Sequence, residues 1–375
     1  MKPAAMKPFD VAVVGGGVMG CSTALFLARA GQRVVLLERG GLCREASGVN
    51  AGTLTMQMTR ASMVPYALRA WELWQDAPRW LGLDVGARVR DGLSVAFTEA
   101  EAAMLEARAT ARRAAGAPIE LVGANRAREI EPNLSDRALM AAFCPVDGFA
   151  SAYLTGRAFA HALAGADVDL RDGCAVQGID RRDGEFVLRT AAGEVRAAQL
   201  VLAGGVWLEE MAAWFGIALP VTVLINQLIV TERMPPVMRT QLGIANGLLS
   251  LKQFENGTVL IGGGWQGIGT RADGRGEKFI PENLIGNMRL AAFVIPALRR
   301  ARAVRSWLGL EAKTADELPV LGPLGGVPGA WIIGCAHSGY TSGPFMGKLL
   351  ADAILGRELV LPLFPMDRLP RKDAA

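Results

Sequence analysis

Phe9-Asp10-Val11-Ala12-Val13-Val14-Gly15-Gly16-Gly17-Val18-Met19-Gly20, continuing to Arg39, is the stretch that decides the fold. Val11–Val14 reads as a short apolar strand, and Gly15, Gly17 and Gly20 spell G-x-G-x-x-G. Small and apolar residues from Cys21 to Ala30 predict a helix that Gly31 stops, and Val34–Leu37 predict a second strand ending on Glu38. Strand, glycine turn, helix and strand in this order form the dinucleotide-binding fingerprint in its proper context. Gly15 allows the tight turn, Gly17 lets backbone approach a pyrophosphate, and Gly20 lets the helix lie close on the sheet. The helix N-terminus adds unpaired N–H groups and a partial positive charge. Glu38 stands where a carboxylate can accept both hydroxyls of an adenosine ribose.

A chain of 375 residues is too long for one simple core and predicts two lobes. It is 51% hydrophobic and 20% charged, the profile of a packed soluble globule. The net charge of +4, with no block of like charge, gives no sign of nucleic-acid or membrane-surface binding. Cys21, Cys43, Cys144, Cys174 and Cys335 are scattered without a C-x-x-C pair, so buried free thiols in a reducing compartment are expected. His161 and His337 are the only histidines, and no metal site is expected. Met1–Pro8 lacks the apolar segment of a secretory signal. Ile217–Val230 is interrupted by Pro220, Asn226 and Gln227, and reads as a buried strand rather than a membrane span. The cytoplasm is the expected location.

Beyond Glu38 a small-residue loop, Gly40–Gly52, offers Ser47, Asn50 and its glycines as donors to phosphate or a ring system. Pro65–Trp80 predicts a helix whose Leu68, Trp71 and Trp74 belong to the core. Thr98-x-x-Glu101 is a capping box for a helix reaching Ala115. Ala198–Leu202 is an apolar strand that breaks on Gly204 and Gly205, suited to delivering backbone to a cofactor. From about 217 to 309 the texture is antiparallel, with a turn at Asn256-Gly257. Trp331–Gly334 then predicts a strand, Cys335–Gly343 a Gly/Ser loop, and Pro344 the start of a last helix, together a second anion site. The expected fold class is α/β: a Rossmann-like domain from 1–80, 150–216 and 310–375, with an inserted α+β substrate domain from 81–149 and 217–309 built on an antiparallel sheet.

With these motifs in hand, the chain resembles the D-amino-acid oxidase, glycine oxidase and sarcosine oxidase superfamily of FAD-dependent amine oxidoreductases. Gly15–Gly20 with Glu38, Ala46–Gly52, Val201–Trp207, and Gly309–Gly322 with the loop Gly334–Pro344 carry the match in the family's order. The resemblance implies non-covalent FAD, since Val49 stands where covalently flavinylated relatives carry histidine and no cysteine just precedes Gly309. It implies Gly15, Gly17, Val18, Met19 and Gly20 at the pyrophosphate and Glu38 at the ribose. Arg39, Arg44, Ala46, Ser47, Asn50, Ala51 and Gly52 would lie along the phosphates and flavin. Val176 would meet the adenine side, and Ala203, Gly204 and Trp207 would support the nucleotide. Gly334, His337, Ser338, Gly339, Tyr340 and Thr341 would face the ring.

Amino-acid oxidases of this family carry G-x-R-P where this chain has Gly309-Leu310-Glu311-Ala312. The family arginine grips a carboxylate bidentately, which glutamate cannot do. Glu311 facing the pocket would favour an ammonium or guanidinium; paired with an arginine such as Arg305 it would be structural. The family's G-H-G becomes His337-Ser338-Gly339, with the histidine one place early. Candidate substrate and catalytic residues are Gln57, Gln253, Trp265, Glu311, His337 and Tyr340. The expected reaction is oxidation of a C–N bond of an amino acid or secondary amine, with oxygen, a quinone or a partner flavoprotein taking the electrons. A 2-hydroxy-acid dehydrogenase and a flavin subunit of a hetero-oligomer, as in the similar opine- and hydroxyproline-type dehydrogenases, are the competing readings.

Overall fold

Val11–Val14 has no polar side chain, and a strand of that kind must be covered on both faces. In the computed structural model, which describes residues 7–269 and 276–369, it sits inside an eight-stranded sheet. Strand Phe9–Val14 pairs in parallel with Val34–Leu37 on one side and with Gly193–Leu202 on the other. Ala330–Gly334 adds in parallel beyond Gly193–Leu202, and Asp169–Arg171 beyond Val34–Leu37. Val176–Arg182 and Glu185–Thr190 complete an antiparallel edge.

Helix Val18–Arg29 covers one face, and the C-terminal helix Gly339–Ile354 crosses it tightly. Gly347 makes this possible, because a Cβ there would lie 2.5 Å from Ser22 Cβ and 2.8 Å from the Met19 carbonyl oxygen. The C-terminal helix begins at Gly339, not at Pro344, which lies within it. The glycine- and serine-rich sequence imitates a loop, but packing on the first helix overrides weak propensity. The expected Pro65–Trp80 helix is two, Val64–Gln75 and Ala77–Leu81.

The second eight-stranded sheet runs in the order Ala303–Lys313, Thr222–Arg233, Thr258–Gly262, Ser250–Gln253, Gln241–Ile244, Gly92–Ala96, Met140–Cys144, Glu120–Gly123. It is antiparallel except where Gln241–Ile244 lies parallel to Gly92–Ala96. Strand Ala303–Lys313 runs through the boundary expected between 309 and 310, so Gly309 and Glu311 belong to this sheet and not to the first. The capping box forms: Thr98 Oγ1 accepts from Glu101 N at 3.2 Å, and Glu101 Oε2 accepts from Phe97 N at 2.8 Å. Thr53–Leu54, Gly148–Phe149 and Arg88–Val89 make a small third sheet at the junction. All five cysteines are free. No helix among the described residues is long and apolar enough to cross a membrane.

Candidate active site

The site grows from the turn after the first strand. Gly15, at φ +114°, sits so close to the parallel strand that a Cβ would lie 2.4 Å from the Ala203 carbonyl oxygen. Gly20 admits no side chain either, since its Cβ would fall 2.0 Å from the Gly15 carbonyl oxygen. The turn therefore hugs the sheet and turns its outer edge, Gly15–Met19, to a cavity of about 540 Å³. Ser47 Oγ accepts from Val18 N at 3.0 Å, which draws the Ala46–Val49 helical turn over the first helix. Glu38 Oε2 accepts from Gly16 N at 2.7 Å and Oε1 from Gly40 N at 2.8 Å, placing its carboxylate at the cavity rim.

From this turn the cavity extends in two directions. One end is lined by Glu38, Arg39, Arg44, Val176, Ala203, Gly204 and Trp207. There the Arg39 guanidinium lies 3.6 Å from the Trp207 ring centre and 2.9 Å from Glu45 Oε1. The other end passes Ala46, Ser47, Asn50 and Ala51 to reach Gly334 and His337–Thr341. Asn50 Oδ1 accepts from Gly52 N at 2.6 Å and its Nδ2 donates to the Ser47 carbonyl at 2.8 Å, which fixes this bend. Gly52, at φ +68°, abuts the Ala150 carbonyl. Gly20 and Gly52, expected at the cofactor, shape the wall without lining it; the other predicted cofactor residues all line the cavity.

The same cavity meets the second sheet at Asn226, Ser250, Gln266, Gly309 and Glu311. Glu311 Oε1 lies 2.5 Å from His337 Nδ1, and Oε2 accepts from Asn226 Nδ2 at 2.8 Å. Gln266 Nε2 donates to Asn226 Oδ1 at 2.7 Å. Glu311 thus faces the cavity, and its partner is His337 rather than Arg305. The Glu311 hydrogen bond is the largest influence raising the His337 pKa; Arg60 opposes it and Glu317 assists. Arg60 pairs with Glu317, which also takes Lys313 Nζ at 2.8 Å.

Tyr340 lines the cavity, with its hydroxyl 2.8 Å from Thr155 Oγ1 and its ring 4.8 Å from that of Trp74. Three of the expected catalytic side chains are placed elsewhere. Gln253 Oε1 accepts from Val237 N and its Nε2 donates to the Pro235 carbonyl, so it ties backbone segments together. Trp265 packs on Gly286, a close approach of ring to helix. Gln57 is buried beside Thr55 and does not line the cavity. Conversely, Asn226, Gln266 and Ser250 line it although no sequence motif marks them. Asn226 had a legible signal, a polar residue interrupting the apolar run Thr222–Val230.

The donors and shape fit FAD. The glycine turn is a cradle where Gly17's Cβ would meet only Ser47 Oγ, at 3.2 Å. The first N–H groups of two helices, Val18–Arg29 and Gly339–Ile354, begin at the cavity wall, where anionic groups are favoured. Among the described residues, no cluster of histidine, cysteine and acidic side chains could hold a metal.

The comparisons agree with that chemistry. The family model described as FAD dependent oxidoreductase, DAO, matches residues 10–353. Glycine oxidase of Geobacillus kaustophilus (strain HTA426) is 30% identical over 367 residues, 95% of this chain and 96% of that protein. An opine oxidase subunit of Agrobacterium tumefaciens (strain Ach5) is 28% identical over 377 residues, 94% of this chain and 95% of that protein. The crystal structure of glycine oxidase from Geobacillus kaustophilus has a TM-score of 0.89 at 28% identity, covering 97% of this chain and 99% of that one. The glycine turn, the second helix N-terminus and the match across nearly the whole chain lead to one conclusion: this chain belongs to the DAO family and is an FAD-dependent oxidoreductase.

Proposed function

We propose that the chain oxidises the C–N bond of an amine or amino acid that presents a cationic group to Glu311. FAD, when bound along the glycine turn and the His337–Thr341 end of the cavity, would supply a two-electron acceptor for a hydride. The substrate carbon loses that hydride, its nitrogen loses a proton, and the imine is hydrolysed by water to a carbonyl compound and an amine or ammonia. The observation that carries the reading is the run of one cavity from the glycine turn to the Glu311–His337 pair.

Each residue has a physical task. Glu311 attracts an ammonium or guanidinium and holds it by a charge-assisted hydrogen bond. Asn226 and Gln266 fix the carboxylate, and His337 sets how much of its charge is compensated. The Ser250 hydroxyl, buried at the wall without a hydrogen-bond partner among the described residues, is a hydrogen-bonding point for the substrate. Positioning contributes most of the protein's share, because holding the reacting C–H near its acceptor makes the step effectively unimolecular.

An anaerobic screen of amines, amino acids and 2-hydroxy acids, followed by bleaching of the visible flavin band, tests this. Cationic amines should bleach it and release ammonia or an amine. Bleaching by 2-hydroxy acids alone, or by none of these compounds, overturns the proposal. The similarity to one subunit of an opine oxidase supports an additional reading, in which a partner protein receives the electrons. Comparing reoxidation by air and by a quinone, with the purified protein alone and in its native complex, tests that reading.

A further inference from the structure

Lys252 is a lysine that the second sheet buries completely. It lies on strand Ser250–Gln253. Its Nζ donates to the Ala51 carbonyl at 2.7 Å and contacts Thr53 Oγ1, with the Phe149 ring centre 5.9 Å away. Among the described residues no carboxylate pairs with it. The buried acid of the junction, Asp147, is taken by Thr55 Oγ1 and Met56 N, both at 2.6 Å. Burial alone brings the Lys252 pKa down to about 7. An apolar side chain of similar length would spare the protein an unpaired buried charge.

The partners of Lys252 show where its effect is delivered. Ala51 and Thr53 form the cavity wall at the end away from Glu38, where the ring of a bound FAD would lie on the proposed reading of the site. The Thr53 carbonyl accepts from Thr341 Oγ1 at 3.1 Å, so the segment is held from the second sheet by Lys252 and from the last helix by Thr341. Ser250, two residues away and on the same face of the strand, opens into the cavity.

We propose that Lys252 is a positioning residue for the flavin: its ammonium, one backbone segment behind the cavity wall, fixes Ala51–Thr53 and supplies positive charge to the ring end. This rests on the FAD site and not on any choice of substrate, so the test uses sulfite, an anion that adds to oxidised flavin. In the holoenzyme at pH 6, where Lys252 carries its proton, Lys252→Met should raise the sulfite Kd at least about tenfold. It should also lower the two-electron potential by about 30 mV per tenfold change. Lys252→Arg, which keeps the charge, should stay within threefold of wild type, and Lys252→Gln should behave as Lys252→Met. If Met or Gln retains FAD with an unshifted potential and a sulfite Kd within threefold of wild type, Lys252 is only a strut and the proposal fails. If Arg shifts them as far as Met does, charge is not the cause, and the proposal fails equally. A failed substrate screen would leave this result untouched.

Discussion

At the scale of single residues, Glu311 is the most informative position. It occupies the place of a carboxylate-binding arginine in the resembled family, and among the described residues the arginines that line the cavity, Arg39 and Arg44, stand at its other end. Glu311→Gln keeps shape and hydrogen bonding but removes charge. For a cationic amine it should raise KM about tenfold, roughly 1.4 kcal/mol, with FAD content unchanged; for a neutral amine the change should be under threefold. The sign of the pH effect follows from His337. Its folded pKa is raised above 6.5, so the ion pair stabilises the fold below that value and is lost as pH rises through the folded pKa. Glu311 is then uncompensated, and a permanently charged quaternary ammonium inhibitor should bind more tightly as pH rises through that step. In His337→Asn the step should vanish.

Lys252 has the opposite linkage. Its folded pKa of about 7 lies below the unfolded value of 10.5, so the penalty is full below pH 7 and is relieved as pH rises toward 10.5. Lys252→Met should therefore raise Tm most at pH 6, and the difference should shrink toward pH 10 in scanning calorimetry. The sequence places Lys252 on a strand, and only the fold shows its side chain turned inward against Ala51 and Thr53.

At the scale of elements, glycine decides the packing of the two helices that begin at the cavity. Gly347→Ala places a methyl against Ser22 and the Met19 carbonyl. It should cost about 1–3 kcal/mol by overpacking and weaken FAD binding together with Tm, as flavin-fluorescence titration and thermal melts would show. Signals carried by local backbone chemistry were legible: the first glycine turn, the Thr98 cap and the Asn256-Gly257 turn, where Gly257 adopts φ +86°. Signals that depend on tertiary partners were not. The last helix hid in a Gly/Ser run because its stability comes from the first helix. Pro344 misled because inside a helix it forfeits a single backbone bond, that to the Tyr340 carbonyl. Strand Ala303–Lys313 was split between two domains at 309, whereas the missing side chain of Gly309 leaves room for Val49, whose Cγ2 would lie 3.1 Å from an added Cβ.

For the molecule as a whole, the cavity lies where both large sheets and the small third sheet meet, so cofactor binding and stability are linked. FAD at about 100 times its Kd should stabilise the protein by about 2.7 kcal/mol over the apoprotein, visible as a concentration-dependent Tm. Acid precipitation should release all of the flavin into the supernatant; retention in the pellet would show a covalent bond. The family was readable from motifs that follow one another along the chain. At the end facing the second sheet, Glu311, His337 and Tyr340 were named from the sequence and Asn226 stood out only as a polar break, whereas Ser250 and Gln266 come from segments that only the fold brings together.

The bare crossing of the first and last helices carries one more consequence. Where Gly347 meets Ser22 and Met19, the backbone of one helix lies against the other, while nearer their N-termini the Val18 and Met19 side chains pack on Gly343 and Gly339. At Gly347 the spacing between the two helices is thus gauged by main chain. Warming, which loosens side chains long before it melts helices, should leave that gauge in calibration until the fold itself gives way.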